Sequence, residues 1–376
     1  MNIGILTQPL INNYGGILQN YALQTILKRE GFKVYTIDRR HPPVSKMKII
    51  LSIIKRGLAK YILRKDIVFR LVPTKREAKM ISYSFVRFIK ENITQTEEFH
   101  TNNFDFLKKY GFNAYIVGSD QVWRPRYSPC LTNYFFDFLD GNNEVKKIAY
   151  AASFGVDNWE LTEEETKQCS ALAKQFNSIS VRENSAVELC GKYFNVKAIH
   201  VFDPTILLKK EDYCDLIKQD NIPEREDILF CYLLDNSDKK SNFVNKAAKT
   251  FQLHPVFGMP ANSFHLKKSK KDISDCIFIS ISEWIAGFRD AKFVITDSFH
   301  GTVFSILFNK PFVVFVNEKR GNARLNSLLQ MFNLEERLIT SSDLDNGFRY
   351  LDYSEINKII EKGRDKSITY LLECLK

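Results

Sequence analysis

Short apolar runs rich in β-branched residues alternate along this chain with longer stretches of helical periodicity. The first run, Ile3-Gly4-Ile5-Leu6-Thr7, predicts a buried strand. Asn12-Asn13-Tyr14-Gly15-Gly16 then reads as a glycine turn, followed by a helix from Ile17 to about Glu30. Gly31 stops that helix, and Lys33 to Asp38 is the next strand. Further strands are predicted at 114–117, 148–152, 178–181, 198–202, 228–234 and 254–257. Helices are predicted over about 238–250, 282–290 and 353–375. The clearest unit spans 290–316: strand Phe293–Thr296, turn Asp297-Ser298-Phe299-His300-Gly301, buried helix Thr302–Phe308, turn, strand Phe312–Val316. Strands that alternate with helices predict an α/β fold with parallel sheets.

With 376 residues the chain is long enough for two domains, each with its own core. The polar stretch from Lys209 to Glu226 reads as the linker. The division expected is 1–212 and 213–352, two Rossmann-like domains facing each other across a cleft, with a C-terminal helix, 353–376, that returns to the first domain. A basic helical insert occupies 46–91.

Composition narrows the class. The net charge is +10, and 46–80 is dense in Lys and Arg between Ile, Leu and Phe. That stretch suits an anionic membrane surface, or else a solvated helix face over an ordinary core stripe. No nucleic-acid motif accompanies the charge. The seven cysteines form no CxxC pair, so neither a zinc site nor a disulfide framework is indicated, and reduced cytoplasmic thiols are expected. The N-terminus lacks the charged segment of a signal peptide, and no run is long enough to span a bilayer. The expected location is the cytoplasm, with peripheral contact at the inner face of its membrane.

Polar residues gather where predicted strands end, which is where open α/β sheets bind ligands. Asp297, Ser298 and His300 follow one strand, at a helix N-terminus that favours anions. Gly118-Ser119-Asp120-Gln121-Val122-Trp123 follows another, and Asp203 closes a third. Arg182 ends the strand at 178–181, and its guanidinium fork matches carboxylate or phosphate; Glu183 and Asn184 read as helix caps. Gly15 and Gly16 serve either a ligand or close packing, since G-x-G-x-x-G is absent. No metal is expected, because the carboxylates lie apart and no ligand spacing appears.

Five segments carry a resemblance: NYGGILQNYAL at 13–23, GSDQVW at 118–123, SVRENS at 180–185, DPTILL at 203–208 and TDSFHGTVFSILFNKPFVVF at 296–315. In this order they resemble the polysaccharide pyruvyltransferase family. The resemblance implies two facing Rossmann-like domains of the GT-B glycosyltransferase type, with the acceptor on the N-terminal side and the donor on the C-terminal side. It implies transfer of a pyruvyl unit from phosphoenolpyruvate, a substrate and not a cofactor, to a sugar of a bacterial capsule or exopolysaccharide precursor, as a ketal. The expected catalytic residues are His300, Asp120 and Asp203. Donor contacts are expected from Arg182, Ser298, His300, Gly301, Arg320 and Arg324. Acceptor contacts are expected from Asn13, Tyr14, Gly15, Gly16, Gln19, Asp120, Gln121 and Trp123. The implied partner is a lipid-linked oligosaccharide. Many members carry Arg-Leu-His where this chain has Ser298-Phe299-His300, so the missing cation must come from elsewhere, with Arg324 or Arg320 as the candidates. Two other readings stay open: a glycosyltransferase with His300 and Arg324 on a sugar-nucleotide diphosphate and Asp120 or Asp203 as base, and a non-catalytic protein that binds a polymer or membrane.

Overall fold

Strands buried on both faces need helices on both sides of a sheet, and this chain builds that arrangement twice. The structure, a computed structural model, describes residues 1–43, 45–64, 73–235, 237–264, 272–316, 321–339 and 351–376. The first part runs β1 (Asn2–Leu6), α1 (Tyr14–Arg29), β2 (Lys33–Thr36), α2 (Lys46–Tyr61), α3 (Lys75–Ile81), α4 (Tyr83–Asn92) and β3 (Ala114–Gly118). It continues with β4 (Lys146–Ala152), α5 (Glu163–Ala173), β5 (Ser178–Val181), α6 (Asn184–Leu189), β6 (Ile199–His200) and α7 (Pro204–Leu207). The second part runs α8 (Lys210–Gln219), β7 (Ile228–Tyr232), α9 (Asp238–Phe251), β8 (His254–Phe257), α10 (Ile281–Asp290) and β9 (Ala291–Thr296). It ends with α11 (Phe299–Leu307), β10 (Phe312–Phe315), α12 (Ala323–Met331), β11 (Leu338–Ile339) and α13 (Tyr353–Leu375).

The strands form two sheets, ordered β2-β1-β3-β4-β5-β6 and β11-β10-β9-β7-β8. Every pairing in both is parallel. This is the α/β architecture of two Rossmann-like domains that the pattern predicts. In each sheet the first strand of the domain lies between the second and the third. The order therefore reverses between β1 and β3, and again between β7 and β9, and a crevice opens at each reversal.

Four local expectations need correction. α1 starts at Tyr14, not Ile17, because Asn13 accepts the Gly16 amide as N-cap; both glycines lie in the first helical turn. The strand expected at 198–202 is reduced to Ile199–His200. The expected linker contains α8, whose Tyr213, Leu216 and Ile217 are buried and which packs on α10. In the 46–80 stretch, no described residue of α2 is fully buried, which goes against the reading of an ordinary core stripe there. Residues 65–72 of that stretch, and Arg320, lie outside the described residues.

The two sheets are held together by side chains that cross between them. Tyr14, at the start of α1, stacks on Trp284 of α10, with ring centroids 5.1 Å apart, and its hydroxyl donates to the Ile279 carbonyl at 2.9 Å. Trp284 also meets Tyr232, Phe288 and Phe304 edge-on. The Asn184 amide donates to Ser327 of α12 at 3.0 Å. Gly321 has φ +83, and a Cβ there would lie 2.4 Å from the Gly155 carbonyl oxygen, so a bare backbone is required where the two chains meet. α13 returns to the first sheet's side, where Arg364 donates to the Ile206 and Leu208 carbonyls.

Trp284 is fully buried and joins both aromatic layers. Trp284→Ala is expected to cost about 3–5 kcal/mol in urea unfolding, the usual range for emptying such a site. A loss below 1 kcal/mol, on the order of a surface change, would show that the aromatic stack does not hold the halves together.

Candidate functional site

Both order reversals open onto one cavity of about 270 Å3. From the first domain it is lined by Asn12, Asn13 and Tyr14 after β1 and by Asp120 and Gln121 after β3. From the second it is lined by Tyr232 and Leu234 after β7, by Asp297 to His300 after β9, and by Met259, Gly321, Arg324 and Leu325. A larger cavity, about 540 Å3, lies among α4, α8 and α10, away from the strand ends, and its Arg87 is paired with Asp220.

Three helices begin at the smaller cavity: α1 at Tyr14, α11 at Phe299 and α12 at Ala323. Their first-turn amides lack intrahelical partners and carry the positive end of each helix dipole. Asn13 caps α1, and Ser298 caps α11 by accepting from Gly301 at 3.4 Å. Ser298, which stands where the resemblance leads one to expect Arg, is therefore a helix cap on the cavity wall. Asp297 is buried beside it and is held by the Leu234 amide at 2.7 Å and by Lys240 at 2.5 Å.

His300 projects from the second domain onto the first. A Cβ at Gly15 would fall 1.9 Å from its Nδ1, so the imidazole occupies space that any other residue at 15 would fill. Its Nε2 is buried, has no hydrogen-bond partner, and lies 3.7 Å from Asp203 Oδ2. Nδ1 is the ring atom nearest the position that a Cβ of Gly15 would take.

Asp203 does not line the cavity. It is fully buried and accepts from Ser119 Oγ at 2.7 Å, Arg182 at 2.8 Å, and the Thr205 amide and hydroxyl at 3.0 and 2.6 Å. Burial alone would raise its pKa, but His300, Arg182 and Thr205 hold the carboxyl well below the usual range. It is an ionised group 3.7 Å behind the imidazole and outside the cavity lining. Arg182 is also enclosed. It pairs with Asp203 at 2.8 Å and Asp120 at 3.5 Å and lies over the Phe299 ring, 4.5 Å from its centroid. Burial disfavours its charge, but Asp203, Asp120 and Glu183 outweigh that and raise its pKa. Arg182 does not line the cavity: its Nη1 is engaged by Asp203, while Nε and Nη2 are buried without a hydrogen-bond partner.

Asp120 faces the cavity. Its φ is +61, in the left-handed region that Asp tolerates better than most residues. Burial would raise its pKa, but Arg182, His300 and Arg324 together hold it below the ordinary value. Arg324, in the first turn of α12, is the converse case. Burial, then the charge of Arg182, pushes its guanidinium pKa down, and Asp120 and Glu183 oppose this only in part. Its Nε is buried without a hydrogen-bond partner. An arginine stays charged at neutral pH, so Arg324 is a buried cation short of counter-charge.

The remaining expected contacts divide. Gln121 lines the cavity and accepts from Arg124 at 3.1 Å. Gly16 and Gly301 lie in the first turns of α1 and α11. Tyr14 lines the cavity, although its hydroxyl is engaged by Ile279. Gln19 is corrected: it is buried below α1 and donates to Thr7 and the Gly16 carbonyl. Trp123 is corrected as well: it is fully enclosed against Phe135 and Phe154, with its indole N–H on the Tyr134 carbonyl. Glu183 does not cap α6 with its side chain. It accepts from Ser153, Phe154 and Gly155 and steadies the loop that meets Gly321. Sequence reasoning missed Tyr232, Leu234 and Met259; the pairing of β7 beside β9, and of β8 beside β7, brings them to the site.

A family model described as polysaccharide pyruvyl transferase matches residues 13–319. The chain belongs to the polysaccharide pyruvyl transferase family. It is therefore a member of an enzyme family, and the match begins at the cap of α1 and includes Asp120, Asp203 and His300. Arg324 lies beyond its end. A search of curated proteins finds no significant match. Among solved structures the transferase is similar to UDP-GlcNAc 2-epimerase from Neisseria meningitidis bound to UDP-GlcNAc, with TM-score 0.50 and 11% identity over 100% of this chain and 99% of that one. A putative UDP-N-acetylglucosamine 2-epimerase from Listeria monocytogenes gives TM-score 0.49 and 10% identity, over 98% of this chain and 90% of the other. At such identity the likeness concerns the fold alone.

Two outcomes follow from this geometry. Gly15→Ala is expected to lower stability by about 1–3 kcal/mol, the usual cost of overpacking, because it displaces the buried imidazole, and to lower kcat on the order of 10²-fold, the scale of a lost acid–base group. Parent-level turnover would show that the His300 position tolerates the shift. Asp120 and Asp203 both have depressed folded-state pKa values. Their contribution to stability is therefore full above the unfolded carboxylate value, about 3.9, and is lost as pH falls through the folded values. Urea midpoints of Asp203→Asn are expected to fall less steeply with acid than those of the parent; equal slopes would remove Asp203 from that linkage.

Proposed function

We propose that this pyruvyl transferase takes its pyruvyl unit from phosphoenolpyruvate and places it, as a cyclic ketal, on two hydroxyls of a sugar in a lipid-linked precursor of a bacterial surface polysaccharide. The observation that carries this reading is Arg324, a buried cation short of counter-charge at the wall of a cavity ringed by helix N-termini. Such a place favours an anion with more than one charged group. Phosphoenolpyruvate has a carboxylate and a phosphate on three carbons, and the cavity, about 270 Å3, lies near the lower limit of ordinary ligand sites.

In this reading Arg324 and the first-turn amides of α11 hold the donor's anionic groups. His300, protonated at Nδ1, delivers a proton to the methylene carbon, and the central carbon becomes cationic. Ionised Asp203 behind Nε2 stabilises the imidazolium, and ionised Asp120 faces the same space. The first sugar hydroxyl adds to the central carbon and loses its proton to His300 or Asp120. The bond from that carbon to the phosphate oxygen breaks, and phosphate leaves with the electron pair. The second hydroxyl then adds and closes the ketal. Of the two hydroxyl protons, one balances the new methyl hydrogen and one leaves with phosphate. The acceptor would enter over Asn13 and Gln121.

The test is mass spectrometry of lipid-linked oligosaccharide incubated with the enzyme and phosphoenolpyruvate, with release of phosphate measured alongside. Gain of one pyruvylidene unit is the expected result. A melting temperature raised by a sugar nucleotide and not by phosphoenolpyruvate would instead favour the glycosyltransferase reading. His300→Asn is expected to lower kcat on the order of 10²-fold or more. Arg324→Gln is expected to raise the melting temperature of the empty protein, because an uncompensated buried charge is removed. The same change should raise the donor KM about tenfold or more, as a lost charged hydrogen bond does. A lower melting temperature with an unchanged KM would return Arg324 to a structural role.

A further inference from the structure

The insert after β2 contains a helix turned the wrong way round for a soluble protein. In α2, Met47, Ile50, Leu51, Ile54, Leu58 and Tyr61 are each more than half exposed. Their spacing places them on one face of the helix. The opposite side, with Ser52, Arg56 and Lys60, is the half-buried one. Lys48 and Lys55 are exposed and border the apolar face. Residues 46–64 include six Lys or Arg and no Asp or Glu.

We propose that the outer face of α2 lies in the surface of an anionic lipid bilayer. A contiguous exposed apolar stripe on one helix marks an interaction site, and the charge decides which one. Two copies of this face would bring together twelve like charges, twice the six of one chain, and would repel. An anionic bilayer accepts both features, with Ile and Leu entering the acyl boundary and the flanking lysines reaching the headgroups. The sixteen-residue α2 with its charges is too short to span a bilayer, so it lies on the surface. Among the described residues no helix is long and apolar enough to cross a membrane.

The inference stands without the donor assignment, and its assay contains neither donor nor acceptor. Full-length protein is sedimented with sucrose-loaded vesicles of phosphatidylcholine alone or mixed with phosphatidylglycerol. Binding to the mixed vesicles, weak binding to the neutral ones and loss with added salt are expected. Lys48→Gln with Lys55→Gln should weaken binding to mixed vesicles about 25-fold, roughly fivefold per basic residue. Leu51→Glu with Ile54→Glu and Leu58→Glu should abolish it; because those side chains are exposed, circular dichroism and urea midpoint should not change. Equal binding to both vesicle types overturns the proposal, as does no binding or parent-level binding by either variant. A concentration-dependent dimer that the glutamate variant dissolves, in a protein that ignores vesicles, assigns the face to a second copy and overturns it as well.

Discussion

The contact between the His300 imidazole and the bare backbone of Gly15 joins the two halves of this enzyme at the point where its chemistry must occur. His300 belongs to the second domain and Gly15 to the first. With a Cβ at residue 15 the ring could not lie where it does, 3.7 Å from Asp203 of the first domain. The acid–base group is therefore assembled across the domain boundary. Domain docking and site geometry are one constraint, and the Tyr14–Trp284 stack beside it and the Gly155–Gly321 approach hold the same register.

Charge is arranged in two layers around that contact. Behind the cavity wall Asp203 and Arg182 pair, Asp120 lies 3.5 Å from the same guanidinium, and Ser119 and Thr205 donate to Asp203. Such buried pairs add little net stability over an apolar core, but they fix the orientation of what rests on them. At the cavity wall the compensation stops. Arg324 has carboxylates near enough to reduce the cost of its burial but not to cancel it, and both it and Arg182 lie against the Phe299 ring. A wall of that kind is prepared for an anion before one arrives, which is the form of preorganisation that makes electrostatic stabilisation effective.

The fold itself is shared with enzymes that handle other substrates: the UDP-GlcNAc 2-epimerase likeness extends over the whole chain at 11% identity. Two parallel sheets with facing order reversals provide a cleft, and the cleft does not by itself specify a reaction. In this chain Ser298 caps α11, and the cation faces the cavity from α12 at Arg324, past the end of the family match.

The period of the hydrophobic pattern is enough to specify the α/β class, most strands and the 290–316 unit, because alternation of strand and helix depends on local sequence alone. The polar strand ends could be named for the same reason: a carboxylate or imidazole between two apolar runs has few structural uses. Local pattern says nothing about which strands are neighbours. The order β2-β1-β3 and its counterpart around β7 decided that Asp120 and His300 share a cavity and that Tyr232 joins them. Depth is equally illegible. Arg182 and Arg324 look alike as arginines near strand ends, yet one is paired behind the cavity wall and the other faces the cavity, since only packing sets how many carboxylates surround each. Trp123 and Gln19 were misplaced for that reason, and the choice between a membrane face and a core stripe for α2 was left open: a sequence shows that a side chain is apolar or polar, while the direction in which its helix is turned is decided by what the rest of the chain packs against it.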